Sequence, residues 1–337
     1  MAKREILKKA SKKKNDEFFT LYDDIANEVP LYKEQLRGKK IICPCDWNES
    51  YEEEIVYEED EYIISPNSTV SNTSSSIKKV DIKATKAKIE KNINLIKCNF
   101  VKFLVAHASD YEIKSISVSG YNPEKEKGIK FQDINYSTYD IVITNPPFSL
   151  FREFIDTMFK NNMRFLVVGP LTALTYKNIF MHIKNNKMWL GYATQLSGFM
   201  LYDGTLLLSK SPEGSVARAC KWYTNMDVSY RHDMMILTKN YNSEKYPKYY
   251  NYDAVEVSKT RNIPYDYEGL MGVPVSFLAK YNPEQFEIIG KGVDLEKTVR
   301  WSGDKAALWI EKNGKPWRAP FERVIIRNKH VVKDAKE

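Results

Sequence analysis

Residues 139–169 constrain the fold of this chain more than any other stretch. Ile141-Val142-Ile143-Thr144 is a β-branched run of the kind that forms a buried strand. It stops at Asn145-Pro146-Pro147-Phe148, where the prolines fix φ and remove N–H donors, so a stiff loop is predicted to follow. Leu150, Phe151, Phe154, Ile155, Met158 and Phe159 then recur at helical spacing, with Arg152, Glu153 and Asp156 off that face. Phe165-Leu166-Val167-Val168-Gly169 predicts a second buried strand. Strand, loop, helix and strand make a βαβ unit, and such sheets bind ligands beyond the carboxyl ends of their strands. Residues 145–148 occupy that position.

Each residue of the loop brings a chemical capacity. The side-chain carbonyl of Asn145 accepts hydrogen bonds, and the Pro146 backbone carbonyl is a second acceptor held in a fixed direction. Phe148 offers a flat face on which a planar base can stack. Two acceptors beside an aromatic face suit an exocyclic amine on a heteroaromatic ring. The bland alternative is a proline-rich loop after any strand. Its placement between a hydrophobic strand and an amphipathic helix favours the chemical reading.

The 337 residues, 43% apolar, suffice for one large domain or two smaller ones. A net charge of +7 with 13% aromatic residues is compatible with a nucleic-acid partner. Cys43, Cys45, Cys98 and Cys220 form no CxxC pair and the histidines are scattered, so neither a zinc site nor a disulfide framework is predicted. No apolar run approaches the roughly 18 residues of a membrane span. The lysine-rich start lacks the apolar segment of a signal peptide. The expectation is a cytoplasmic chain with no membrane and no metal partner.

Along the chain, residues 2–14 hold Lys3, Arg4, Lys8, Lys9, Lys12, Lys13 and Lys14 against Glu5 alone. They read either as a solvated terminus or as a phosphate-binding arm. A helix is predicted from Leu21 to Leu36, ending at Gly38, and then a short strand leads to Asp46. Residues 48–80 are acidic and then rich in Ser, Thr and Asn, the composition of a flexible surface insertion. Further predictions are a helix over 97–107, a strand over 115–119, a loop over 120–128, a helix over 176–186 and a strand over 188–192. From about 195 short strands and turns take over. Lys221, Trp222, Tyr223, Tyr230, Arg231, Lys245, Tyr246, Lys248, Tyr249 and Tyr250 interleave bases and aromatics there, either as a nucleic-acid surface or as ordinary tyrosines. The expected division is a basic arm (1–14), a catalytic domain (15–194) and a C-terminal region (195–337).

Asn-Pro-Pro-Phe is the hallmark tetrapeptide of amino-methyltransferases. Several segments together narrow the match: Asp16-Glu17-Phe18-Phe19-Thr20, Cys43-Pro44-Cys45-Asp46, Asp140 to Arg152, Gly272-Val273-Pro274-Val275, Tyr281-Asn282-Pro283-Glu284-Gln285-Phe286, and Arg323-Val324-Ile325-Ile326-Arg327. On these the chain resembles the EcoRI-type adenine-specific DNA methyltransferases over nearly its whole length.

The resemblance implies an α/β fold: a Rossmann-like, S-adenosylmethionine-dependent methyltransferase sheet with helices on both faces. A C-terminal β-rich target-recognition region follows. It implies methyl transfer from S-adenosylmethionine to the N6 amine of a flipped adenine in a specific double-stranded DNA sequence, leaving S-adenosylhomocysteine. Asn145, Pro146, Pro147 and Phe148 would be catalytic. Phe18, Phe19, Thr20, Cys45, Asp46 and Asp133 would contact the cofactor. The chain would act as a monomer, and any cognate restriction endonuclease would act separately. Two features depart from the wider pattern: Cys43-Pro44-Cys45-Asp46-Trp47 replaces a glycine-rich cofactor loop, and the strand ending at Ser119 lacks the acid that commonly holds the cofactor ribose. Rival readings are methylation of a glutamine amide in a protein, methylation of adenine in RNA, and an inactive DNA-binding protein of the same fold.

Overall fold

The computed structural model describes residues 18–46, 54–58, 77–122, 126–201, 204–295, 308–312, 314–318 and 322–332. The basic arm and most of the 48–80 insertion lie outside these residues. The chain divides into two compact units, the first comprising residues up to Ala173 with Leu190–Asp227, the second Leu174–Trp189 with Val228 onward.

The first unit opens with β1 (Phe19–Thr20), β2 (Lys40–Cys43), β3 (Lys78–Lys79), β4 (Ser115–Val118), and a hairpin of β5 (Tyr121–Asn122) and β6 (Lys127–Gly128). It continues with β7 (Ile141–Thr144), β8 (Arg164–Pro170), β9 (Trp189–Leu190, at the division), β10 (Gly198–Met200), β11 (Leu206–Leu208) and β12 (Cys220–Thr224). Its longer helices are α1 (Tyr22–Glu28), α2 (Ile82–Lys91), α3 (Asn99–Ala106) and α4 (Phe151–Lys160). The central sheet has the order β3-β4-β2-β7-β8-β12-β9. β4, β2, β7 and β8 run parallel, while β3 and β12 are antiparallel to their neighbours β4 and β8. The chain goes from β2 through α2 and α3 to β4, then crosses to the other side of β2 as β7. Strand order therefore reverses between β2 and β7, which opens a crevice beyond their carboxyl ends.

The predicted βαβ unit is present. All four residues of β7 are buried, as a strand covered on both faces requires. α4 buries Phe151, Phe154, Ile155 and Met158, the apolar stripe predicted from spacing. Gly169 lets this helix close on β8, since a Cβ there would stand 2.2 Å from the Phe151 ring.

Other segments differ from expectation. The helix predicted to Leu36 is interrupted after Glu28 by a 3-10 turn, Val29–Tyr32, because Pro30 has no N–H to continue it, and resumes over Lys33–Leu36. The predicted 120–128 loop contains the β5–β6 hairpin. Trp222 and Tyr223 lie in β12 between β8 and β9 and are fully buried, so they offer no face to a nucleic acid. Arg231, Tyr246 and Tyr249 are buried too and Lys221 and Tyr230 half-buried, leaving Lys245, Lys248 and Tyr250 exposed. Residues 195–227, expected with the C-terminal region, fold in the first unit: β12 pairs along β8 from Cys220↔Pro170 to Thr224↔Leu166.

The second unit holds α5 (Lys177–Lys184), β13 (Val255–Glu256), β14 (Met271–Pro274), β15 (Phe286–Lys291), β16 (Trp309–Lys312), β17 (Lys315–Arg318) and β18 (Arg323–Asn328). Four strands form a sheet in the order β13-β14-β18-β15, and β16 pairs with β17. Glu256 and Arg323 make a buried ion pair at 2.6 Å, joined by the Tyr249 hydroxyl, which donates to Glu256. The Tyr281–Phe286 motif is a bracket: Asn282 Nδ2 donates to Asp233 O (3.0 Å), and Gln285 binds both N and O of Met235 (2.6 and 2.8 Å).

Candidate active site

The carboxyl ends of β4, β2 and β7 bring three segments together. The Asp46 amide donates to Ser119 O at 3.1 Å, and the Ser119 amide donates to Cys43 O at 3.0 Å. Thr144 Oγ1, at the end of β7, donates to Asp46 Oδ2 at 2.5 Å. Desolvation pushes the Asp46 carboxyl up to about 7, against the lowering effect of the Thr144 hydrogen bond. Cys45 sits half-buried on the same turn.

An N-terminal strap crosses this region. β1 pairs with β10, Phe19 opposite Met200 and Thr20 opposite Phe199. Thr20 O accepts from Asn99 Nδ2 at 2.9 Å. Phe18 O accepts a short hydrogen bond from Asn145 Nδ2. The Phe18 and Phe148 rings stack with centroids 5.3 Å apart and planes inclined 21°, and Phe199 meets Phe148 edge-on at 5.8 Å.

Two carboxylates one helical turn apart on α1 anchor the start of β10 and the segment that leads into it. Asp24 accepts from the amides of Ser197 (2.8 Å) and Gly198 (3.3 Å), where β10 begins. Glu28, fully buried, accepts from the amides of Tyr192 and Ala193, each at 2.7 Å, and from the Tyr32 hydroxyl at 2.8 Å. Burial raises both carboxyls, and the backbone donors hold that rise down.

Three buried polar atoms here have no hydrogen-bond partner among the described residues: Asn145 Oδ1, Thr20 Oγ1 and Ser119 Oγ. Buried polar groups are nearly always paired, and leaving one unpaired costs about 1–3 kcal/mol. A ligand bearing donors and hydroxyl partners would satisfy them. Among the described residues no group of three His, Cys, Asp or Glu side chains is placed to hold a metal ion, and no helix is long and apolar enough to cross a membrane.

Asn145, Phe148, Phe18, Phe19, Thr20, Cys45 and Asp46 thus fall on contiguous elements, with Pro146 buried and Pro147 half-buried in the loop. Asp133 is different: it stands exposed at the end of the 3-10 turn Phe131–Asp133, whose Phe131 is buried. Sequence reasoning passed over Asn99, Phe199 and the two α1 carboxylates. The only local signal was the i, i+4 spacing of Asp24 and Glu28 on a helix whose other side is apolar.

The family model for adenine-specific methyltransferase EcoRI matches residues 6–329. The chain is 35% identical to Type II methyltransferase M.EcoRI of Escherichia coli, covering 98% of this chain and 99% of that protein. It is 31% identical to Type II methyltransferase M.MgeORF184P of Mycoplasma genitalium and 30% identical to M.MpnI of Mycoplasma pneumoniae, each over 83% of this chain and 84% of the relative. No solved structure matches it. A match spanning both units, together with an Asn-Pro-Pro-Phe loop at the reversal point of the sheet, establishes that the chain belongs to the EcoRI-type family of adenine-specific methyltransferases.

Proposed function

We propose that the crevice beyond β4, β2 and β7 is where this site-specific DNA adenine methyltransferase binds S-adenosylmethionine and the target base. The observation that carries the reading is the buried Oδ1 of Asn145, without a hydrogen-bond partner among the described residues, an acceptor at the end of the strand where ligands of a Rossmann-like sheet bind.

The adenine amine is a weak nucleophile because its lone pair is delocalised into the ring. Asn145 Oδ1 and the Pro146 carbonyl would accept its two N–H groups, draw the nitrogen toward a pyramidal geometry, and stabilise the positive charge that develops on it. Phe18 covers one face of Phe148, so the base would stack on the other. When bound, S-adenosylmethionine supplies a methyl group already activated as a sulfonium. Phe18, Phe19 and Thr20 would border its methionine part, and Asp46 with Cys45 would face it from the turn after β2. The Thr20 and Ser119 hydroxyls fit its polar groups because both are buried and unpaired among the described residues. Ser119 stands where relatives of the wider fold carry a ribose-binding acid. Asp133, exposed in this structure, would meet the adenine end of the cofactor.

The second unit would carry most of the groups that read the DNA sequence, since chemistry and cofactor occupy the first. The basic arm would add phosphate contacts. Helices on both faces of the sheet, a cytoplasmic location and a monomeric state belong to the same reading.

Transfer of labelled methyl groups to duplex DNA, RNA and protein extract tests it. Label is expected at N6 of adenine in one DNA sequence. Asn145→Ala should lose about a hundredfold or more in single-turnover rate while still binding cofactor. A folded Asn145→Ala protein that methylates at the wild-type rate would falsify the mechanism. Label in RNA or on glutamine would support the rival substrates.

A further inference from the structure

We propose that Phe18 is a positioning residue for methyl transfer: its backbone carbonyl decides which way the Asn145 amide faces, and its ring sets the plane of Phe148. The inference rests on the catalytic role of Asn145 proposed above.

A carboxamide has one accepting end and one donating end, of nearly the same size and shape. Turned one way, Asn145 offers an acceptor to an incoming amine; turned the other, it sets donor against donor. Nothing within the side chain prefers the useful orientation. A backbone carbonyl only accepts, so the end of Asn145 that touches Phe18 O must be the NH2. Oδ1 is thereby forced to the opposite end, where it is buried and has no partner among the described residues. The orientation follows from the chemistry of the carbonyl and holds wherever this contact exists.

Phe18 is itself fixed from several sides. The next two residues pair with β10, Asn99 holds Thr20 O, and the Phe18 ring packs against Phe199 at 5.5 Å. Asp24 holds the amides of Ser197 and Gly198 at the start of β10. The nearly parallel Phe18–Phe148 stack, with Phe199 on the edge of Phe148, leaves Phe148 little freedom to tilt. One residue thus constrains both the acceptor and the stacking face, across 127 positions of sequence.

The test uses the full chain and single-turnover methylation of duplex DNA at saturating S-adenosylmethionine. Phe18→Ala is expected to lower the saturated rate about tenfold or more, about 1.4 kcal/mol of activation free energy, with DNA affinity retained; Phe18→Tyr should restore it. A residue serving only as a cofactor contact would instead raise the cofactor Kd and leave the saturated rate alone, which would overturn the proposal.

A second variant reads the amide orientation directly. In Asn145→Asp a carboxylate oxygen faces Phe18 O, acceptor against acceptor. Only the neutral carboxyl, donating its O–H to Phe18 O, restores the arrangement. The rate of Asn145→Asp divided by that of wild type should therefore fall about tenfold per pH unit above the pKa of the new carboxyl. Taking the ratio removes titrations common to both proteins, including Asp46, which is bonded to the adjacent Thr144, and Cys45 on the same turn. A ratio independent of pH refutes the proposal, and this arm decides if Phe18→Ala does not fold. The underlying reading fails separately: there the wild-type protein would not methylate adenine, or Asn145→Ala would be fully active.

Discussion

Thr144 and Asp46 stand 98 positions apart in the chain, yet the threonine hydroxyl donates a 2.5 Å hydrogen bond to the aspartate carboxylate. The bond ties the ends of adjacent parallel strands at the point where strand order reverses. It stabilises the ionised carboxylate in a desolvated setting that favours the protonated one.

The pH dependence of stability should reveal this group. Folding raises the Asp46 carboxyl from 3.8 to about 7. Between those values the folded chain binds the proton more tightly than the unfolded chain, so stability from this group declines as pH rises through the window. Thermal unfolding of wild type and Asp46→Asn from about pH 4 to 8 checks it, because the variant lacks that slope. Parallel curves for the two proteins would rule the assignment out. A cationic cofactor bound against Asp46 should favour the ionised form, so binding near pH 7 should release protons. Calorimetry in buffers of different ionisation enthalpy reads that release.

Glu28 is a buried acceptor facing three donors, two of them backbone amides. Glu28→Gln keeps the shape but turns an NH2 toward one of those donors. The expected cost is about 1–3 kcal/mol of unfolding free energy, measured by chemical denaturation. An unchanged midpoint and slope would mean that the amide loop can find other acceptors.

In the second unit, Arg323 donates to Glu256 through Nε at 3.0 and 3.1 Å and Nη2 at 2.6 Å, with both side chains about 95% buried. Glu256→Ala strands a buried guanidinium and should cost about 3–5 kcal/mol. Replacing both residues with Met should cost less than the single change, because no charge is then left unpaired. If the double variant is the less stable of the two, the pair is worth more than its desolvation cost.

Removing residues 2–14 should weaken binding to all DNA sequences alike. Each lost phosphate contact lowers the log–log salt slope by about 0.9. Titrations at several salt concentrations decide between a phosphate-binding arm and a solvated terminus, which leaves the slope unaltered.

The legible parts of this protein were those written in local periodicity. Ile141 to Thr144, the α4 stripe and the Phe165 strand each announce themselves within ten residues, and the proline loop marks the site between them. The partner of Asn145 was not legible, because Phe18 contributes a backbone carbonyl, which every residue possesses. The aromatic and basic run near 221 misled for a related reason. Composition cannot tell a strand inside a sheet from one on a surface, and Trp222 and Tyr223 are interior because Phe100 of α3 packs on the first and Phe151 of α4 on the second. The Pro30 break was visible as a residue, but the helix on either side outweighed it.

The antiparallel placement of β12 has a practical side. Five residues of β8, Leu166 to Pro170, take hydrogen-bonded neighbours from a segment that arrives only at 220–224. A fragment cut at 194 would leave that apolar strand with an open edge, Val167 and Val168 included, a template for pairing with other chains. Such a fragment is expected to precipitate on expression, whereas one carried through Asp227 closes the sheet with its own residues.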